Sequence, residues 1–175
     1  MPVTVSDVKF NNSVGQYSWN NVVVKLSANE NIDKEALNPK YVDNIGVRIT
    51  LGYNVGTRKE NNYYFLRSEV TIATMEIGQD KTFAFWIPED IVDRGNLGNE
   101  PEFWVIELSL DGRTMQLQPE NMCSRFNRSG ATPETFLNNA SSNVSKTEGI
   151  LVPYYLSPYG PVDRSPPAFI RKEPK

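Results

Sequence analysis

The chain has no histidine, a single cysteine and no long apolar run, and each absence removes a class of function. Without imidazole there is no Ser-His or Cys-His nucleophile pair, and a zinc site loses its commonest nitrogen ligand. Cys123 cannot close a disulfide within the chain, and with no histidine beside it reads as a quiet thiol. No segment approaches the roughly 20 apolar residues of a membrane span. The opening residues MPVTVSDVKF also lack the basic and apolar regions of a secretion signal, which read literally means a cytoplasmic protein. A strand pattern set directly against Met1 equally suits a chain from which a leader has been removed. Charge of one sign is scarce too, with 18 Lys and Arg against 21 Asp and Glu for a net of -3. With no basic block there is no footprint for nucleic acid or an anionic membrane surface.

What is present is alternation. A chain of 175 residues with 11% aromatic and 22% charged residues is globular in composition and long enough to bury a core without metal or disulfide staples. In residues 104–119 two alternating runs meet at Asp111 and Gly112, a pair suited to the positive backbone angles of a tight hairpin turn. That turn sets Leu110 opposite Arg113, Leu108 opposite Met115 and Ile106 opposite Leu117, and the apolar faces agree. Upstream, Val3 and Val5 alternate before the phase shifts to Val8 and Phe10, which predicts a first strand broken by a bulge near Ser6 and Asp7. Val22, Val24, Leu26 and Ala28 share one strand face. Ile45, Val47, Ile49, Leu51 and Tyr53 share another, with Gly46, Arg48, Thr50 and Gly52 on a side expected to be wet.

Tyr64, Leu66, Val70 and Ile72 give one long strand or two, and Phe83, Phe85 and Ile87 give the next, which Pro88 stops. Residues 88–95 read as a short helix, with Glu89 and Asp90 in its first turn and Gly95 available to end it. Asp33 and Leu37 bound a second possible helical turn. From 120 to 149 the period disappears, apart from a helix start marked by Thr132 as cap and Pro133 at its first position. Residues 138–146, rich in Asn and Ser, read as a mobile loop, and 150–156 return to strand character. The whole irregular stretch is longer than an ordinary connection, so it is either a functional loop or an excursion to a final edge strand. Prolines at 158, 161, 166, 167 and 174 mark an extended tail that leaves the domain or lies along it. The expected organisation is therefore an all-β, antiparallel two-sheet sandwich over residues 1–156, with one or two short helices in loops and a proline-rich arm over 157–175. A closed barrel gives similar local patterns.

Chemistry is faint. Glu89, Asp90, Asp93, Glu100 and Glu102 could supply a carboxylate pair for glycoside hydrolysis, but surface acids at a helix end explain them equally. Asp90, Asp93, Asn96, Asn99 and Glu100, and separately Asn29, Asn31, Asp33 and Glu35, offer oxygen donors to calcium without the spacing of a calcium loop. Turn residues bonding their own backbone account for both. The sequons at Asn11, Asn127, Asn139 and Asn143 follow from an Asn-rich composition. Aromatics are the better candidates, since flat side chains stack on sugars. Trp104 shares the parity of Ile106 and Leu108 and belongs to the core, whereas Trp86 lies opposite in phase to Phe85 and Ile87 and is expected to face outward. With Tyr63 it forms a candidate glycan platform, against the alternative that Trp86 packs on a loop or a subunit. Tyr154, Tyr155, Tyr159 and Phe169 are candidate partner-binding residues of the arm.

The strand order and the hairpin at 104–119 resemble bacterial immunoglobulin-like domains. The chain as a whole resembles the immunoglobulin-like envelope proteins that accompany outer-membrane and type IV pilus-like components in mucin-associated gut bacteria. That resemblance implies a non-enzymatic surface or periplasmic component without a cofactor, oligomeric and working through protein contacts. Two departures stand beside it. The cysteine pair and third-strand tryptophan of antibody domains are missing, and there is no long apolar N-terminal helix of the kind pilins polymerise through. The expected function is a structural or adhesive module of a bacterial envelope assembly that binds protein partners or itself; the alternative is a carbohydrate-binding module using exposed aromatics.

Overall fold

Alternating β-branched and aromatic residues fold here as two facing antiparallel layers. The computed structural model describes residues 1–33, 35–56, 60–98 and 100–171. Strands β1 (Val3–Val14), β2 (Trp19–Ala28), β3 (Tyr41–Asn54), β4 (Tyr63–Glu76) and β5 (Asp80–Ile87) come first, followed by helix α1 (Glu89–Gly95). After them come β6 (Phe103–Leu110), β7 (Arg113–Thr114), α2 (Phe126–Ser129), α3 (Pro133–Ser141), β8 (Val152–Pro153) and β9 (Phe169–Ile170). One sheet has the order β1-β2-β5-β8 and the other β7-β6-β3-β4-β9, each open rather than closed on itself. Successive strands cross between the sheets from β2 to β3, β4 to β5 and β5 to β6, the Greek-key pattern of an immunoglobulin-like sandwich.

The core lies between the sheets. Val22, Val24, Leu26, Phe83, Phe85 and Ile87 of one layer face Ile45, Ile49, Leu66, Ile72, Ile106 and Leu108 of the other, all fully or almost fully buried. Each such side chain contributes about 1.5–3 kcal/mol relative to an exposed one. The phase break in β1 is a bulge, with the register against β2 shifting between Val5 and Asp7. Trp104 sits half-buried at the core rim, its ring 6.1 Å from that of Phe10. Pro88 ends β5 and opens α1, and it is Asn96 rather than Gly95 that turns left-handed to cap the helix.

Four expectations are corrected by tertiary contacts. The hairpin turns at Asp111 and Gly112 as expected (φ 48° and 79°) and pairs Leu110 with Arg113, but β7 stops at Thr114. Met115 still bonds Leu108, whereas opposite Ile106 the side chain of Asn121 takes the place expected for Leu117. The second correction is the wet side of β3, because Thr50 and Gly52 are buried beneath a second core. Phe65, Phe103, Val105, Phe126, Phe136 and Ala140 form this cluster on the outer face of the five-stranded sheet, roofed by α2 and α3. Third, the stretch expected to be mobile holds the end of α3 and a short 3-10 turn, Val144–Thr147, whose Thr147 hydroxyl donates to the Phe65 carbonyl at 2.7 Å. Fourth, only Val152–Pro153 of the last expected strand pairs, as the edge strand β8. Of the helical turn expected between Asp33 and Leu37, residue 34 lies outside the described residues; among the described residues Ala36 makes a single turn bond to the Asp33 carbonyl and no helix is formed.

Candidate functional site

Trp86 shows how far phase alone can be trusted. Its partner across the ladder is Asn21, and its side chain points away from the inter-sheet core as the alternation requires, yet only 3% of it is exposed. The cover is Tyr159, whose ring stacks on the indole at 4.0 Å between centroids and 14° between planes. Tyr17, from the turn between β1 and β2, and Trp19, the first residue of β2, meet the same ring edge-on at 5.7 and 5.8 Å. The Tyr159 hydroxyl donates to the Val14 carbonyl at 2.9 Å and accepts from the Tyr17 N–H at 3.0 Å. Gly15 at the hairpin tip completes the box, since a Cβ there would stand 2.5 Å from the tyrosine ring and its φ is 72°. The indole face expected for a glycan is therefore occupied by the chain's own C-terminal segment.

That segment lies along the sandwich. Ser165 is held by Lys81, and Phe169 packs edge-on against Phe83 at 5.4 Å and against Tyr154 and Tyr155 at 5.8 and 5.3 Å. Of the four residues expected to meet partners, Tyr159 and Phe169 are thus engaged within the chain. Tyr155 lies against Arg171, 5.0 Å from its ring centroid, and burial raises its hydroxyl pKa against the opposing pull of that cation. Tyr63 is not on an open platform either: it stacks on Phe65 at 6.1 Å beside the second core. Its hydroxyl is pushed up by burial and then by the neighbouring Glu102 carboxylate.

The oxygen-rich motifs bond their own backbone. The Asp33 N–H donates to Asn31 Oδ1 at 2.9 Å and the Glu35 N–H to Asp33 Oδ1 at 3.0 Å. Asn99 lies outside the described residues, and among the described residues no three His, Cys, Asp or Glu side chains gather at metal-binding distance.

Concave features among the described residues include two grooves. A groove of about 210 Å³ lies beside Tyr64, Ile91 and Arg94. A larger one, about 650 Å³, runs between the edges of the two sheets, lined by Arg67, Glu69, Leu151, Tyr155, Leu156 and Ile170 among others. None of Glu89, Asp90, Asp93, Glu100 or Glu102 lines either groove. Arg67 at the larger groove is fixed by bonds to Thr50 Oγ1 at 2.9 Å and Ser141 Oγ at 3.2 Å, and its Nη2 is buried without a partner. Burial, and then the Arg48 charge, lower its pKa. Sequence reasoning missed this groove because β4, the 141–156 segment and β9 meet only in three dimensions.

No family model matches the chain, and no curated protein matches it. Among solved structures, the chain is similar to a crystal structure of a protein from Akkermansia muciniphila, with 12% identity and a TM-score of 0.64 over 98% of this chain and 94% of that one. At that identity the likeness is one of fold, and it extends over both sheets and the covering segments.

Proposed function

We propose that the chain is a non-enzymatic structural or adhesive module of a bacterial cell-envelope or pilus-like assembly, working through protein contacts. The observation that carries this reading is that the two-sheet sandwich has its aromatic faces covered by the chain itself, so that sheet edges and the groove between them are what it offers to other molecules. The fold likeness to a bacterial protein over nearly the whole chain supports it. Contact then passes through main-chain edges rather than through Tyr159 or Phe169, whose rings a partner could reach only after the C-terminal segment had come away. Fractionation of the native bacterium with crosslinking on intact cells tests the assignment. Recovery in the periplasmic or outer-membrane fraction, with discrete crosslinked adducts, is the expected result; a purely cytosolic protein without adducts rejects it.

A further inference from the structure

Backbone direction along β4 singles out two residues. The Ala73 N–H bonds the Ala168 carbonyl at 2.7 Å, and Thr71 pairs with Ile170 of β9. Alternate residues of a strand send both main-chain groups to the same side, so Glu69, Arg67 and Phe65 point theirs the same way. At Phe65 that side is closed by the Thr147 hydroxyl. Between these closures, among the described residues, the N–H and C=O groups of Arg67 and Glu69 have no partner. They open into the groove of about 650 Å³, whose walls are largely apolar: Val70, Leu151, Tyr155, Leu156 and Ile170. Leu156 and Ile170 are exposed at its mouth.

We infer that this stretch of the β4 edge captures a short extended segment of another protein chain by strand addition. The inference rests on the module reading above and names the class of partner it takes. The chemistry of the occupant follows from the groups left open: two donors and two acceptors in strand register call for a peptide backbone, which supplies both at the same spacing. A sugar or a lone anion satisfies only part of that set. Apolar walls on the core side and Arg67, Glu69 and Glu148 at the rim select a segment with apolar side chains at every second position and a basic residue facing the two acids. The opening admits two bonded positions between β9 and Thr147, which suits a short segment rather than a whole sheet edge of a second copy.

The test selects phage-displayed dodecapeptides on the whole chain and resynthesises the enriched ones. In parallel, Glu69→Pro removes a groove-facing N–H without touching a bond to β3, since the β3-facing groups of β4 belong to the alternate residues. The expected result is a set of alternating apolar peptides that bind the wild-type chain at least tenfold more tightly than the Glu69→Pro chain. They should also bind at least tenfold more tightly than their own N-methylated forms, and should slow amide exchange at Arg67 and Glu69. The N-methylated peptides keep the test decisive if the proline variant does not fold. No enrichment, equal binding of methylated peptides, or unprotected amides overturns the inference. Self-association abolished by Glu69→Pro assigns the edge to a second copy, and peptide binding only by a chain ended at Arg171 assigns it to the chain's own last residues; both also overturn it. Envelope crosslinks without peptide capture leave the module reading standing, whereas peptide capture by a cytosolic protein sinks that reading and leaves the edge.

Discussion

Tyr159 does more for this molecule than its place in a proline-rich tail suggests. Its ring fills a box of Trp86, Trp19 and Tyr17, and its hydroxyl makes two main-chain bonds to the β1–β2 hairpin, one of them across 145 residues of sequence. Tyr159→Ala is expected to lower unfolding stability by about 3 kcal/mol, from lost stacking and burial. Tyr159→Phe should cost about 1 kcal/mol, the net worth of the hydroxyl's bonds. Urea titration read by tryptophan fluorescence checks both, because the alanine variant should also shift the native emission to longer wavelength. Gly52 gives a second expectation: a Cβ there would lie 2.6 Å from the Phe136 ring, so Gly52→Ala should cost about 1–3 kcal/mol through displaced packing. Gly98, with nothing within 4 Å, serves as control and should change by less than about 0.5 kcal/mol as Ala. At this scale the sequence revealed direction but not cover. Alternation placed Trp86 off the core side, and nothing in the pattern could tell that a tyrosine far along the chain would seal it.

Elements were legible where their cause is local. Thr132 caps α3 by accepting from the Thr135 N–H, with Pro133 at the first position, as the residue types require. The extent of α3 was hidden by its Asn and Ser content. Those side chains turn back on helix carbonyls, Ser141 on Leu137 at 2.9 Å and Asn143 on Asn139 at 2.8 Å, while Phe136 and Ala140, four residues apart, form the buried stripe. The end of β7 has a tertiary cause as well. Past Thr114 the chain departs toward Pro119, and Asn121 Nδ2 supplies the Ile106 carbonyl with a bond at 3.0 Å. Asn121→Ala leaves that buried acceptor unsatisfied and should cost about 1–3 kcal/mol by chemical denaturation, with amide exchange rising first near Ile106. The long edge of β1 carries its own protection, in two irregularities against β2 and the charged pair Asp7 and Lys9.

For the whole molecule the sandwich was readable because both of its sheets follow a period of two, and the second core was not, because its residues come from an aperiodic stretch that finds the sheet only on folding. The whole-molecule pH response follows from composition and burial together. Burial raises the hydroxyl pKa of Tyr53, Tyr63, Tyr64 and Tyr155, whereas in the unfolded chain each titrates near 10. Their contribution to stability is fully present below about pH 10 and is lost as pH rises toward the folded values, because the unfolded state releases protons first. With no histidine to titrate, the urea midpoint should be flat between about pH 6 and 8 and fall above about pH 10. A midpoint unchanged at pH 10.5 would contradict this.

The covering of Trp86 by Tyr159 also sets an order of events during synthesis. When translation has delivered the chain only as far as Leu156, β1 to β8 are all available, yet the indole face is bare and β4 lacks β9. A nascent chain that has emerged only that far presents a bare aromatic surface until the segment bearing Tyr159 follows and hides it.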